Sequence, residues 1–218
     1  MSILETKSLS VGYGNKVVVD NLQIEGEEGV LLCILGPNGA GKTTILRTLA
    51  GLLQPVEGAV CIKGNEISNI DSKSLAKELS VVLTNKFDGG LMTVFEVASM
   101  GRYPHTGFFG KLTKKDTEKV IDALKTVNAI HLIHRYFDEL SDGEKQKVLI
   151  ARALVQEPDI IILDEPTSHL DIKHRLELVE ILKVLSREKG ISVILSLHEI
   201  DIALKSCDKV VLVNKNTV

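Results

Sequence analysis

The run Gly36-Pro-Asn-Gly-Ala-Gly-Lys-Thr-Thr44 constrains the fold most strongly, because of what stands on either side of it. Before it, Val30-Leu-Leu-Cys-Ile-Leu35 is a continuous apolar run bounded by glycine, which predicts a fully buried strand. After it, Ile45, Leu46, Leu49 and Ala50 recur at helical spacing. A strand, a glycine-rich turn and a helix in that order make a phosphate-binding loop, with Gly36, Gly41, Lys42 and Thr43 at the required positions. The glycines allow a turn tight enough to aim successive N–H groups at phosphate oxygens, and the helix beginning near Gly41 adds its positive end. Gly36, Pro37, Asn38, Gly39, Ala40, Gly41, Lys42, Thr43 and Thr44 are therefore the expected nucleotide-binding residues. Lys42 is expected to reach the β and γ phosphates, and the Thr43 hydroxyl to ligate magnesium.

Ile160-Ile-Ile-Leu163 is a second buried-strand run, and it ends in Asp164-Glu165. Acidic residues before Pro166 would alone be ordinary turn chemistry. Beside a phosphate loop, Asp164 can hold magnesium and Glu165 can polarise an attacking water. Leu140-Ser-Asp-Gly-Glu144 reads locally as a capping box, Ser141 with Glu144, opening a helix whose apolar face carries Val148, Leu149, Ala151 and Leu154. A helix N-terminus with a serine hydroxyl and a glycine is also a candidate second anion site.

With these three motifs in this order the chain resembles the ATP-binding cassette (ABC) ATPases. Their Leu-Ser-Gly-Gly-Gln signature is matched by Leu140, Ser141, Asp142, Gly143 and Glu144 except in the third and fifth places. The resemblance implies a head-to-tail homodimer with two shared sites, each signature closing over ATP held by the partner. Asp142 would repel a triphosphate if it pointed inward; pointing outward in the first helical turn, it is favoured by the helix dipole. The resemblance also implies that Tyr13 stacks on adenine and that Ser168, His169, Leu170 and Asp171 form a D-loop crossing the interface. It makes His198, after the apolar run Ile191 to Leu195, the switch histidine that contacts the γ-phosphate. Lys42, Glu165 and His198 are the expected catalytic residues, and Thr43, Asp164 and Thr84 the expected metal contacts. The family's glutamine after the strand Leu79 to Leu83 is replaced here by Thr84 or Asn85, whose hydroxyl or amide could substitute. His131, His134, His169 and His174 show no ligand pattern and are expected at the surface.

The expected fold class is α/β: a P-loop NTPase (RecA-like) core with an early antiparallel β subdomain and an inserted all-helical subdomain. The core covers about 1–85 and 155–218. The helical subdomain covers about 86–154, where Val94, Val97, Ala98, Val120, Ile121, Leu124 and Val127 carry the helical period. Residues 101–107, Gly-Arg-Tyr-Pro-His-Thr-Gly, and the basic run 111–116 read as a loop with exposed aromatic and basic groups. The chain ends at Val218 where the family usually continues with a turn and helix, so a short or truncated C-terminus is expected.

At 218 residues and 44% hydrophobic content the chain can bury a substantial core. It has no apolar run of membrane-spanning length and no signal-peptide anatomy, so a cytoplasmic protein is expected, and the resemblance implies a place peripheral on the inner face of the membrane. Net charge of -3 and no basic stripe leave nucleic-acid binding unsupported. The three scattered cysteines, Cys33, Cys61 and Cys207, read as buried free thiols. ATP and magnesium are the expected cofactors. Thr93 to Glu96 followed by Gly-Arg-Tyr-Pro-His resembles ATPase subunits of iron-siderophore, haem and cobalamin importers. That resemblance implies transmembrane permease subunits as partners and, indirectly, a substrate-binding protein. A non-transport ABC ATPase, a catalytically impaired nucleotide-gated scaffold and an export role stay open from the sequence.

Overall fold

The computed structural model describes residues 2–83, 87–107 and 110–214. Thr84 and Asn85, and the end of the chain from 215, lie outside the described residues.

Ten strands and seven α-helices follow one another as β1 (Ser2–Tyr13), β2 (Lys16–Leu22), β3 (Glu25–Glu27), β4 (Leu31–Leu35), α1 (Lys42–Leu49), β5 (Glu57–Ile62), β6 (Asn65–Glu66), α2 (Ser72–Glu78), β7 (Leu79–Val82), α3 (Val94–Ser99), α4 (Lys114–Thr126), α5 (Asp142–Val155), β8 (Ile160–Leu163), α6 (Ile172–Arg187), β9 (Ser192–Leu197), α7 (Ile200–Ser206) and β10 (Lys209–Leu212) among the described residues. The strands make two sheets. The early strands form an antiparallel sheet in the order β2-β1-β5-β6, with β3 also on β1. The second sheet is parallel throughout, in the order β10-β4-β9-β8-β7.

The parallel sheet explains the unbroken apolar runs, because both of its faces are covered. Side chains alternate along each strand, so Cys33, Leu35, Ile161, Leu163, Val193 and Leu195 pack against the helices α3 to α6. Leu32, Ile34, Ile160, Ile162 and Ile194 pack on the other face with α1 and the antiparallel sheet. In β4, β8 and β9 every residue is buried.

Of the helical residues named from their periodicity, Val94, Val97, Ala98, Val120, Leu124 and Val127 are buried, while Ile121 is half-buried. Three capping boxes start the helices α3, α4 and α5: Thr93 with Glu96, Thr113 with Asp116, and Ser141 with Glu144.

The segment expected to be an exposed loop is different. Met100–His105 is a 3-10 helix continuing from α3. Within it Arg102 is buried, only 4% exposed, because its guanidinium donates to Asp116 Oδ1, the Val155 carbonyl and Glu157 Oε2, each at 2.8 Å. His105 Nε2 lies 2.7 Å from the Gln156 carbonyl. Gly101 sits so close to the end of α5 that a Cβ there would be 2.1 Å from the Arg152 carbonyl oxygen. Tyr103, His105 and Gly107, with Lys111, Lys114 and Lys115 beyond them, keep the exposure expected of them. Apolar periodicity cannot reveal such a segment, because what orders it is an ion cluster drawn from three distant parts of the chain.

Candidate functional site

The C-terminal ends of β4, β9 and β8 lie side by side, the edge at which open parallel sheets bind ligands. Each strand delivers one motif there: residues 36–44 after β4, Asp164 and Glu165 after β8, and His198 after β9.

Gly39 and Gly41 have φ of +77° and +99°, a region that favours glycine. Gly36 is required by crowding, since a Cβ there would lie 2.3 Å from the Val213 carbonyl oxygen. Pro37, Asn38 and Gly39 are exposed at the loop tip, while Ala40 and Thr44 are buried. Helix α1 begins at Lys42 with no side chain capping its first turn, so its N–H groups are directed at the loop.

Lys42 is buried, and its ammonium donates to the carbonyls of Gly36 at 2.9 Å and Pro37 at 3.1 Å. It lies 3.2 Å from His198 Nδ1 and 3.9 Å from Glu165 Oε1. Burial pulls its pKa below the ordinary lysine value, with the Glu165 and Asp164 carboxylates opposing. His198 Nε2 is 2.5 Å from Glu165 Oε1. A neutral imidazole whose Nε2–H faces that carboxylate has Nδ1 as an acceptor for Lys42.

Thr43 Oγ1 donates to Asp164 Oδ1 at 3.2 Å. The same oxygen accepts from Ser196 Oγ at 2.8 Å, and Ser196 Oγ accepts from the Glu165 N–H at 2.8 Å. The contacts form one polar chain from Lys42 through His198, Glu165, Ser196 and Asp164 to Thr43. A hydroxyl and a carboxylate meeting at one point are hard oxygen donors of the kind magnesium takes, its other ligands coming from phosphates and water. Among the described residues no group of three or more His, Cys, Asp or Glu could hold a metal by itself.

Ser141 caps α5, its hydroxyl donating to Glu144 Oε2 at 2.9 Å, and stays exposed. Asp142 is exposed and Leu140 buried. Glu144 titrates below the ordinary carboxylate value because the Ser141 N–H is bonded to it. Gly143 is buried under His174, whose Nδ1 is 2.9 Å from Asp171 Oδ1. His174 is thus a half-buried packing residue, not the free surface histidine its isolation in sequence suggests. A cleft of about 400 Å³ separates the start of α5, at Asp142, Lys145 and Gln146, from Asp164, Glu165, Ser168 and His169.

In the D-loop segment Ser168 Oγ donates to Glu165 Oε2 at 3.3 Å, His169 is exposed, Leu170 is buried and Asp171 caps α6. Arg175 spans from the Leu170 carbonyl at 3.1 Å to Glu199 at 3.0 Å, tying this segment to the residue after His198. Tyr13, at the end of β1, is 52% exposed with its ring available for stacking. Ser196, His174 and Arg175 escaped the sequence reading. A serine in a mostly apolar strand was the signal for the first; the other two lie on a helix with no pattern of their own.

Fold and site together define a P-loop ATPase cassette. The model of the ABC transporter family matches residues 19–168, and the chain belongs to that family. It is 48% identical over 216 residues to an uncharacterised ABC transporter ATP-binding protein of Methanocaldococcus jannaschii, covering 99% of this chain and 74% of the relative. It is 37% identical over 215 residues to the ferric enterobactin transport ATP-binding protein of Escherichia coli, covering 99% and 79%. Among solved structures, a dimeric ATP-binding cassette in a post-hydrolysis state with ADP and Pi superposes with a TM-score of 0.83 at 25% identity, covering 99% of this chain and 96% of that one. The protein is the ATP-binding subunit of an ABC transporter and an ATPase. No described helix is long and apolar enough to cross a membrane.

Proposed function

We propose that this chain powers an importer for a ferric siderophore or a related chelate, such as haem or cobalamin, from the cytoplasmic face of permease subunits. The observation that carries its ATP-hydrolysing part is the convergence of Lys42, Thr43, Asp164, Glu165 and His198 at one sheet edge. The likeness to a ferric enterobactin transport protein supports the cargo class.

In this reading the loop N–H groups and Lys42 bind the phosphates of ATP, and Thr43 with Asp164 would hold magnesium. Bound there, the metal would neutralise charge on the β and γ phosphates. Glu165 orients and polarises the attacking water; its carboxylate is fixed by His198 Nε2 and Ser168 Oγ. Lys42 and His198 stabilise the charge that develops on the γ-phosphoryl oxygens. Ser141 of a partner copy completes the site, its helix end supplying further N–H donors. Closure of two such subunits on ATP, and release after hydrolysis, drives the permease, with residues 86–154 as the lobe that meets it. A substrate-binding protein on the other side would deliver cargo.

Uptake of labelled ferric siderophore in cells lacking this chain tests the proposal. The expected result is lost uptake, restored by the wild-type chain and not by Glu165→Gln. Intact siderophore uptake in the deletion strain overturns the cargo class, and lost uptake of haem or cobalamin alone reassigns it.

A further inference from the structure

Strand β9 is buried from end to end, yet it carries two serines on the same face, Ser192 and Ser196. They behave oppositely. Ser192 Oγ has no hydrogen-bond partner among the described residues. Ser196, with no exposed surface, uses its hydroxyl in both directions, accepting from the Glu165 N–H and donating to Asp164 Oδ1, both at 2.8 Å. A buried hydroxyl that donates one bond and accepts another is fixed in orientation.

What it holds is strained. Glu165 has φ of +48°, a left-handed conformation that is uncommon and costly for a residue with a side chain. Its neighbour Asp164 is fixed in extended pairing by an N–H donated to Val82 O at 2.9 Å. The chain therefore turns sharply between two adjacent acidic residues, and the Ser196 hydroxyl bridges the carboxylate of Asp164 and the backbone N–H of Glu165. Ser196 also stands two residues before His198, so one strand end sets the backbone of Glu165 and delivers the imidazole that faces its side chain.

We infer that Ser196 is a positioning residue for hydrolysis: its hydroxyl pins the Glu165 backbone against the Asp164 carboxylate, so that Glu165 and His198 meet in the geometry needed to orient water. The inference rests on the reading of Glu165 as the water-orienting residue. It predicts a loss in turnover and not in ATP binding, because Lys42 and the loop amides lie on α1 and the turn before it.

The test compares the purified full chain with Ser196→Ala, Ser192→Ala and Glu165→Gln, measuring steady-state ATPase kinetics, ATP affinity in EDTA and thermal melting. Ser196→Ala should lower kcat by at least about tenfold, as loss of a supporting hydrogen bond does around other sites, with ATP affinity unchanged. Ser192→Ala, which removes an equally buried hydroxyl from the same face, should keep wild-type turnover. If Ser196→Ala turns over like Ser192→Ala, or its loss tracks ATP affinity or the melting temperature, the inference is overturned. Glu165→Gln separates the two levels: wild-type turnover there removes the role of Glu165 itself, whereas a slow Glu165→Gln beside an active Ser196→Ala removes Ser196 alone.

Discussion

Gly143 lies directly against the imidazole of His174: a Cβ on the glycine would be 2.6 Å from Cδ2 and 3.0 Å from the histidine Cβ. The ring cannot swing away freely, because its Nδ1 is engaged by Asp171, the residue that caps α6. The signature glycine is therefore needed within the chain, to let α5 seat on α6, before any partner approaches.

Gly143→Ala should destabilise the chain by about 1–3 kcal/mol, the usual penalty for overpacking a buried contact. Adding His174→Ala should recover most of that loss. Urea unfolding of both variants checks this, and a double variant as unstable as Gly143→Ala would place the clash elsewhere.

Glu165→Gln keeps the shape of the side chain and removes its charge. Hydrolysis should fall by about a hundredfold or more while ATP binding persists. The variant should accumulate as an ATP-bound dimer, visible by size-exclusion chromatography with and without nucleotide.

Arg102→Met leaves the buried Asp116 without its cation, while the exposed Glu157 keeps Lys119. A loss of about 3–5 kcal/mol is expected, as for other buried pairs broken from one side. Equilibrium unfolding measures it; a loss below 1 kcal/mol, the range of exposed pairs, would show that the cluster is solvated.

Asp116 titrates at about 2, below its ordinary 3.8, mainly because the Thr113 hydroxyl donates to it, with the Thr113 N–H and Arg102 adding to the effect. A depressed carboxylate pKa stabilises the fold above the ordinary value, and that contribution disappears as pH falls from about 4 towards 2. Thr113→Ala should therefore be less stable than wild type at pH 7, with the gap narrowing through this window. Part of the gap, about 1 kcal/mol, should remain at low pH because Thr113 also accepts from the Asp116 N–H as the helix cap.

Much of the site was legible because its residues are bound to local pattern. Strand runs ending in Asp164 or His198, and a glycine-rich turn before Lys42, announce their positions by periodicity and spacing. The helical insertion was legible for the same reason, whereas the antiparallel sheet was expected only through the family resemblance. Arg102 was not, since its burial depends on Asp116, Val155 and Glu157, none close to it in sequence. The cap pattern Thr113-Lys-Lys-Asp116 was visible and marks the true start of α4, but its basic content suggested a solvated run. His174 was hidden because a histidine acquires its role from the glycine beneath it. Thr84 and Asn85 fall outside the described residues.

Lys42 offers a different kind of lesson. Its three N–H bonds already have neighbours in the Gly36 and Pro37 carbonyls and His198 Nδ1. A phosphate oxygen therefore does not meet a bare cation; it must outbid acceptors already in place. A monovalent anion such as chloride gains little by that exchange. A triphosphate, engaging the loop amides and the ammonium together, gains at every contact at once. If the loop holds ATP as proposed, discrimination against small anions would follow from the number of contacts a ligand must replace at once, and not from the charge of Lys42 alone.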